Sequence, residues 1–321
     1  MIEEIMKKLL DLFKYLKEFG IKVTILHYLP WHFRQGSMIS RRLFAWKHQV
    51  IDKFLYDENR DIIEKYKNEK HTGLNIAKDC PIWILWWQGY DNAPEIVKMC
   101  IDSVIRNKGN HEVILLDENN LKEYVQIDEM VYQKKNKGII GMALFSDIIR
   151  LSLLSAYGGI WCDATLFLTR PFDESIYESQ FYGIHSVGMK SALTHCTEGK
   201  WSTFFIGSPQ GGEIVSFVKE VIMRYSKNHD ILIDYFLADY AIRLGYLHIE
   251  RVRKMIDSIP DNNAQCADLL PLLGKKYDEE MWKKVSKNTY CFKLSWKKQD
   301  LRDIYSDKSF YEKLINFKQG R

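Results

Sequence analysis

A strand, a helix and a second strand follow one another closely, and this order constrains the fold more than any other feature. Residues 81–87 form a dense apolar run that ends at Gln88, which is typical of a buried strand. A helix with a proline in its first turn is predicted from residue 92 to Arg106, and a second apolar strand covers 111–116. Because units of this kind build parallel sheets, we predict an α/β fold.

A third apolar strand ends abruptly on an aspartate. Residues 143–157 are typical of a helix that two glycines stop, and a strand over 160–162 then runs into Asp163. Open α/β sheets bind their ligands at the carboxyl ends of the strands, which makes Asp163 a candidate ligand-binding residue. An aspartate in this position also caps a turn in many proteins, so both roles stay open at this point.

The predicted helix before Asp163 carries two opposite charges on an otherwise apolar face. Asp147 and Arg150 are three residues apart, which places both side chains on one side of the helix. They form either a structural ion pair or a site where the carboxylate binds sugar hydroxyls and the guanidinium binds phosphate. Because burying both charges costs desolvation energy, we favour the functional role.

Composition and missing motifs exclude several other classes of protein. The net charge of +4 over 321 residues is too small and too dispersed for a general nucleic-acid binder. The 6 cysteines lie far apart, which is typical of reduced thiols in a cytosolic protein. Nucleophile-elbow, P-loop and His-Glu-x-x-His motifs do not occur. We therefore predict a cytoplasmic protein that binds no nucleic acid and has neither a signal peptide nor a membrane-spanning run.

The first part of the chain is typical of a helical extension. In residues 2–18 apolar side chains recur at helical spacing between lysines, which predicts an amphipathic helix. Charged helical sequence continues from Ser40 to Lys70, so we predict a helical N-terminal extension over residues 1–75. We favour packing of the first helix's apolar face against the rest of the protein. The alternative is peripheral association with the inner face of an anionic membrane.

Two motifs together resemble a known family. Residues 146–150 (Ser-Asp-Ile-Ile-Arg) and 157–165 (Tyr-Gly-Gly-Ile-Trp-Cys-Asp-Ala-Thr) resemble the capsular polysaccharide synthesis proteins. These are bacterial glycosyltransferases related to family thirty-two and to the glucosylating clostridial toxins. The resemblance implies a GT-A glycosyltransferase fold with helical N-terminal and C-terminal additions. Its Rossmann-like nucleotide-binding domain would cover residues 76–321, with a C-terminal lid at about 285–300. Other blocks similar to the family are residues 81–89, 92–97, 200–205, 234–240 and 293–297.

The resemblance also implies roles for individual residues. One of the two tryptophans after the first strand would lie against the uracil of a UDP-sugar, and a metal ion, Mn²⁺ or Mg²⁺, would lie near the lid. Asp239 lies in an apolar helix predicted near 231–244 and is a further candidate for contact with the sugar or acceptor. The alternative is an ordinary solvent-exposed aspartate on the surface of that helix. The candidate donor-binding residues are Trp86, Trp87, Gln88, Asp147, Arg150, Asp163 and Lys297; the catalytic candidates are Asp147, Arg150, Trp296 and Asp239; the metal ligands are Asp163, Thr165 and Ser295.

One position departs from the family pattern. Thr165 replaces the second acid of the usual Asp-x-Asp motif, and a neutral hydroxyl is a poorer ligand for a hard cation than a carboxylate. Three arrangements stay open: a weaker metal site at Asp163, a site completed by another carboxylate, or metal-independent transfer assisted by Arg150 and lysines such as Lys297. We favour the metal-assisted site.

The resulting prediction is a glycosyltransferase. The resemblance implies transfer of a sugar from a UDP-sugar to a glycan or lipid-linked oligosaccharide acceptor of a bacterial surface or capsular polysaccharide, with retention of anomeric configuration. Two alternatives stay open. One is a sugar-phosphate transferase of capsule synthesis, and the other is a non-catalytic nucleotide-sugar-binding protein on the same fold.

Overall fold

A computed structural model describes residues 2–69, 73–186, 194–297 and 308–315 of the chain. The strands in these ranges are β1 (Ile82–Leu85), β2 (Val113–Leu116), β3 (Gly159–Cys162), β4 (Leu166–Leu168), β5 (Tyr182–Gly183), β6 (Phe205–Ser208) and β7 (Cys291–Lys293). Five of them form one sheet in the order β2-β1-β3-β6-β5, and β4 pairs with β7 in a separate ribbon. The α/β class predicted from the sequence is confirmed, while the GT-A assignment stays a prediction.

Helices precede the sheet, connect its strands and follow it. Their apolar faces and the buried strands share one hydrophobic core, which includes the fully buried rings of Trp83 and Trp161. The helices are α1 (Ile2–Tyr28), α2 (Met38–Glu58), α3 (Arg60–Asn68), α4 (Glu95–Arg106), α5 (Leu121–Tyr124), α6 (Glu129–Asn136), α7 (Met142–Tyr157), α8 (Glu213–Asn228), α9 (Leu237–His248), α10 (Glu250–Asp257), α11 (Glu279–Ser286) and α12 (Phe310–Ile315).

The centre of the sheet is parallel, as the strand–helix–strand pattern predicts. In β1, Ile82 is paired with Val113 of β2 on one side and with Ile160 of β3 on the other, and both pairings are parallel. Every residue of β1 and β3 is buried, so both faces of these strands are covered. The other half of the sheet differs from the prediction, because β6 runs antiparallel to β3 and β5 runs antiparallel to β6.

Two glycines are required where α7 passes into β3. Gly158 caps α7 with a φ of 69°, and Gly159 begins β3 with a φ of 112°. Residues other than glycine rarely adopt such angles. A Cβ atom on Gly159 would lie 2.4 Å from the carbonyl oxygen of Pro81, where β1 begins. The close approach of the two backbones therefore explains the glycine pair, and it fixes where Asp163 emerges from β3.

The N-terminal helices pack on the sheet-containing part through α2 rather than through the predicted face of α1. The helix α1 is broken at Gly20, and Tyr15 in its first half is hydrogen bonded to His27 in its second half at 2.9 Å. We predicted that the apolar face of residues 2–18 packs against the protein. This prediction is wrong for its described side chains: Leu9 and Phe13 are exposed, and the buried contacts come from Tyr15 and other residues on a different side. The boundary at residue 75 stays a prediction.

Two further predictions change in the C-terminal half. The helix expected over 231–244 begins only at Leu237, because the Asp234 carboxylate accepts a hydrogen bond from the Phe236 backbone and holds the preceding residues in a turn. Asp234 is therefore outside the helix, whereas Asp239 lies within it. The predicted lid at 285–300 includes β7 and the residues up to Lys297, and its last three residues lie outside the described ranges.

Candidate active site

The candidate site lies at the carboxyl ends of β1 and β3. The strand order places β2 and β3 on opposite sides of β1, and a crevice forms at such a reversal in an open α/β sheet. Trp86 follows β1 and Asp163 follows β3, so the two parallel strands deliver these residues to the same edge. The predicted donor site and the predicted nucleotide-contacting tryptophans therefore share one edge of the sheet.

Asp163 accepts hydrogen bonds on both carboxylate oxygens. Its Oδ1 atom accepts from Nη2 of Arg150 and from Nε1 of Trp161, each at 2.9 Å. Its Oδ2 atom accepts from Nζ of Lys293 at 2.5 Å. Burial opposes ionisation of this carboxyl, but the charges of Lys293 and Arg150 outweigh it and lower the pKa of Asp163 below its usual value.

Arg150 connects the two acidic residues of the site. Its Nη1 atom donates to Asp147 at 2.5 Å, which confirms that the two side chains share a face of α7, and Nη2 reaches Asp163. The guanidinium lies over the Trp161 ring at 4.8 Å, and its Nε atom is buried without a hydrogen-bond partner among the described residues. Burial raises the pKa of Asp147 to about 6, although Arg150 opposes the shift.

Lys293 is the site residue that the sequence analysis did not identify. Its Nζ atom donates to Asp163 and, at 2.8 Å, to the hydroxyl of Thr165. The ribbon brings it there, because Lys293 of β7 is paired with Leu166 of β4, one residue after Thr165. A lysine in the otherwise apolar run 290–294 was the available signal, since charged residues are rarely placed in buried strands without a partner.

As the residues around Asp163 are arranged here, they do not fit a hard divalent cation. Such ions take several oxygen ligands, whereas both oxygens of Asp163 here accept from cationic or N–H donors and Thr165 is occupied by Lys293. The described ranges contain no group of three or more His, Cys, Asp or Glu side chains placed to hold a metal ion. The described hydrogen bond of Ser295 is accepted from the Lys297 backbone, so it does not join this cluster.

The predicted nucleotide-contacting residues occupy two environments. Trp86 packs edge-on against Trp296 with ring centroids 5.7 Å apart, and its Nε1 atom is buried without a partner among the described residues. Trp87 lies instead against Phe145, and the Lys135 ammonium is 4.1 Å from the centroid of the Trp87 ring. Of the two tryptophans, Trp86 has the buried unpartnered N–H and contacts the lid segment. Gln88 is exposed, and Lys297 lies over the Trp296 ring at 5.7 Å.

Asp239 lies in a second part of the site, a cavity of about 250 Å³ that Lys293 also lines. Only 4% of Asp239 is exposed; its Oδ2 atom accepts a long hydrogen bond from Thr203 at 3.5 Å, and its Oδ1 atom has no hydrogen-bond partner of normal geometry among the described residues, although the Trp201 side chain lies nearby. Burial and the nearby charge of Asp147 raise the pKa of Asp239 to about 8. A protonated carboxyl is thus available to donate a hydrogen bond inside the cavity at neutral pH.

The chain is similar to several known proteins. The chain is 32% identical over 108 residues to the O-glycosyltransferase braB of Annulohypoxylon truncatum, a match that takes in 31% of this chain and 26% of that relative, so it spans about a quarter of the relative's length. A solved structure, PaToxG Glycosyltransferase, aligns with 76% of this chain and 98% of its own, at 16% identity and a TM-score of 0.38. Residues 35–314, which include every predicted site residue, match the family described as capsular polysaccharide synthesis protein, and the chain therefore belongs to that family.

Proposed function

We propose that the protein is a glycosyltransferase that moves a sugar from a UDP-sugar to the glycan acceptor of a surface or capsular polysaccharide. The observation that carries this proposal is the cluster of Asp147, Arg150, Asp163 and Lys293 at the topological switch point of the sheet. It combines carboxylates, which bind sugar hydroxyls, with two cations, which bind phosphate. Family membership and the matching segment of a fungal O-glycosyltransferase support the same class of reaction.

In this proposal the two cations of the cluster neutralise the departing nucleotide. The bond between the anomeric carbon and the diphosphate oxygen breaks, and negative charge grows on the diphosphate. Arg150 and Lys293 lie next to each other around Asp163 and supply positive charge at that point. A divalent metal, which the family resemblance implies, would supply the same stabilisation. We propose that Lys293 takes over this role because it occupies both Asp163 and Thr165.

The remaining residues would hold the donor and guide the acceptor. Trp86 would offer a ring and an unpartnered N–H to the base. Asp147 and Asp239 would face the sugar, and at neutral pH the Asp147 carboxyl is largely ionised whereas the Asp239 carboxyl is protonated. The acceptor hydroxyl forms the new bond to the anomeric carbon on the face from which UDP leaves. Its proton passes to the departing diphosphate, and bond formation on that same face retains the anomeric configuration.

Product analysis tests this proposal directly. The purified protein is incubated with UDP-glucose, UDP-galactose and their N-acetylated forms, and the released nucleotide is identified by chromatography. We expect UDP from at least one donor, and a rate at least about 100-fold lower for Asp163→Asn. The matched control Asp261→Asn, on an exposed carboxylate, should keep the wild-type rate. Release of UMP would indicate a sugar-phosphate transferase, and binding without release would indicate a non-catalytic binding protein.

We further propose that α1 contacts an anionic membrane, where a lipid-linked acceptor would be found. Its exposed side includes Phe13, which is 65% exposed, and Leu9, with Lys14 and Lys17 nearby. In the described part of the chain, none of the longer helices is apolar enough to cross a bilayer. Co-sedimentation with phosphatidylglycerol vesicles should therefore fall for Phe13→Asp. Equal sedimentation of this variant and the wild type would contradict the proposal.

A further inference from the structure

A cavity of about 850 Å³ lies between the N-terminal helices and the start of α9, beside the candidate active site. The residues from the N-terminal side include His27, Trp31 and His48, and the residues from the other side include Tyr235 and Phe236. None of these residues belongs to the charged cluster around Asp163. The cavity is therefore distinct from the charged cluster that would hold the donor.

Aromatic rings form much of the lining, and two of them are strongly exposed. Trp31 is 60% exposed and stands edge-on to Phe44, with ring centroids 5.2 Å apart. Tyr235 is 65% exposed and stands edge-on to Phe236 at 5.1 Å. Large aromatic rings usually bury their faces, so exposed rings beside a cavity indicate a ligand with apolar surface. The C–H faces of a sugar ring provide such a surface.

The polar groups of the lining are mostly uncharged. Burial lowers the pKa of His27, and it lowers the pKa of His48 to about 4, so both imidazoles are neutral at pH 7. The Lys47 ammonium is neutralised by Asp234 at 2.6 Å. The Nε2 atom of His48 is buried and has no hydrogen-bond partner of normal geometry among the described residues. A buried polar atom of this kind needs a ligand group, and neutral imidazoles suit hydroxyls.

The cavity adjoins the smaller cavity of the candidate active site. His195 and Phe236 line it and also line the smaller cavity that contains Asp239 and Lys293. Tyr235 lines the larger cavity, and burial and the nearby carboxylates of Asp147 and Asp163 raise the pKa of its hydroxyl, so this residue also lies near the charged cluster. A molecule held in the larger cavity would therefore extend toward the donor sugar.

We infer that this cavity binds the saccharide acceptor, with one sugar ring against Trp31 and a hydroxyl on His48. The inference rests on the proposed function, since an acceptor is needed only if a sugar is transferred. It adds that the N-terminal helices, rather than the sheet alone, complete the acceptor site. It also identifies the acceptor as a hydroxyl-rich saccharide and not a polyanion, because Arg41 is the one charged lining side chain without an ion pair among the described residues.

Binding of simple glycosides tests the inference without requiring turnover. Saturation-transfer NMR is recorded with the methyl glycosides of glucose, galactose, mannose and N-acetylglucosamine. We expect at least one of them to bind the wild type, and Trp31→Ala to bind it about tenfold more weakly. The matched control Trp46→Ala changes an exposed tryptophan of α2 that does not line the cavity, and it should bind as the wild type does.

Two results would overturn the inference: no glycoside binds the wild type, or the two tryptophan variants lose binding equally. UDP-sugar turnover measured on the same samples separates the two proposals. Turnover without glycoside binding contradicts the acceptor cavity alone. Glycoside binding that depends on Trp31, without release of UDP or UMP from any donor, contradicts the proposed function and leaves a saccharide-binding cavity. Because Trp46 lines neither cavity, Trp46→Ala should also hydrolyse the donor within about twofold of the wild-type rate.

Discussion

Two aspartates of the site have opposite protonation preferences, and their neighbours explain why. Arg150 and Lys293 contact Asp163, and their charges lower the pKa of its carboxyl despite burial. Asp239 is buried without such contacts, so burial and the charge of Asp147 raise its pKa to about 8. At neutral pH one carboxyl is therefore ionised among cations, and the other is protonated and can donate a hydrogen bond in the smaller cavity.

This difference predicts a pH-dependent effect of Asp239→Asn on stability. The unfolded chain releases the Asp239 proton near pH 3.8, whereas the native protein keeps it up to about pH 8. The wild type therefore loses stability from this residue as the pH rises through that range, by at most about 1.4 kcal/mol per pH unit. The asparagine variant cannot ionise, so the free energy of unfolding of the variant minus that of the wild type should increase from pH 5 to pH 8. Urea denaturation at several pH values measures it, and a constant difference would contradict the assignment.

Single residues were predictable where the signal is local. The spacing of Asp147 and Arg150 on one helix correctly predicts that their side chains meet, because a helix repeats every three to four residues. Lys293 could not be assigned in this way. It reaches Asp163 across 130 residues of sequence through the pairing of β4 with β7, and one sequence carries no signal for such a long-range pairing.

At the scale of elements, the junction between α7 and β3 controls the position of the site. Gly158 and Gly159 let the chain turn sharply and pass next to Pro81, after which β3 leads directly to Asp163. The apolar strands β1 and β3 and the glycine stop were predictable because each has a strong local pattern. The strands β5 and β6 were not predicted: they are short, and β6 contains Gly207, which weakens its strand pattern.

Gly159→Ala should therefore destabilise the protein strongly. The new Cβ atom would lie 2.4 Å from the Pro81 carbonyl oxygen, in a backbone conformation with a φ of 112° that alanine disfavours. We expect a loss of about 3–5 kcal/mol in the free energy of unfolding, measured by urea denaturation. Gly138→Ala is the matched control, since Gly138 has a φ of 70° but no atom within 4 Å of a Cβ, and it should cost about 1 kcal/mol. Similar losses for the two variants would show that the close backbone approach is unimportant.

At the scale of the whole molecule, polar contacts join the N-terminal helices to the part that contains the site. In α2, Lys47 pairs with Asp234, and His48 is hydrogen bonded to Tyr240 of α9 at 2.7 Å. Arg243 of α9 also binds α2, through Asp52 at 3.0 Å. Sequence pattern predicted the helices but not these contacts, because amphipathic periodicity shows that a face is buried and not which partner covers it.

Removal of the buried cation should weaken this connection. Lys47→Met leaves Asp234 buried without its counter-charge, and the two side chains are only 6% and 5% exposed in the wild type. We expect a loss of about 3 kcal/mol in the free energy of unfolding. Lys53→Met, on the exposed side of the same helix, should cost less than about 1 kcal/mol. Tryptophan fluorescence in urea measures both, and equal losses would contradict the role of the buried pair.

If Arg150 and Lys293 neutralise the departing nucleotide, transfer does not depend on a metal ion. The most direct test is the rate of UDP release with excess EDTA and with Mn²⁺. We predict that the wild type keeps at least half of its rate in EDTA, and that Lys293→Met loses about 100-fold or more under both conditions while Lys287→Met does not. A tenfold or greater loss of the wild-type rate in EDTA, restored by Mn²⁺, would contradict the claim.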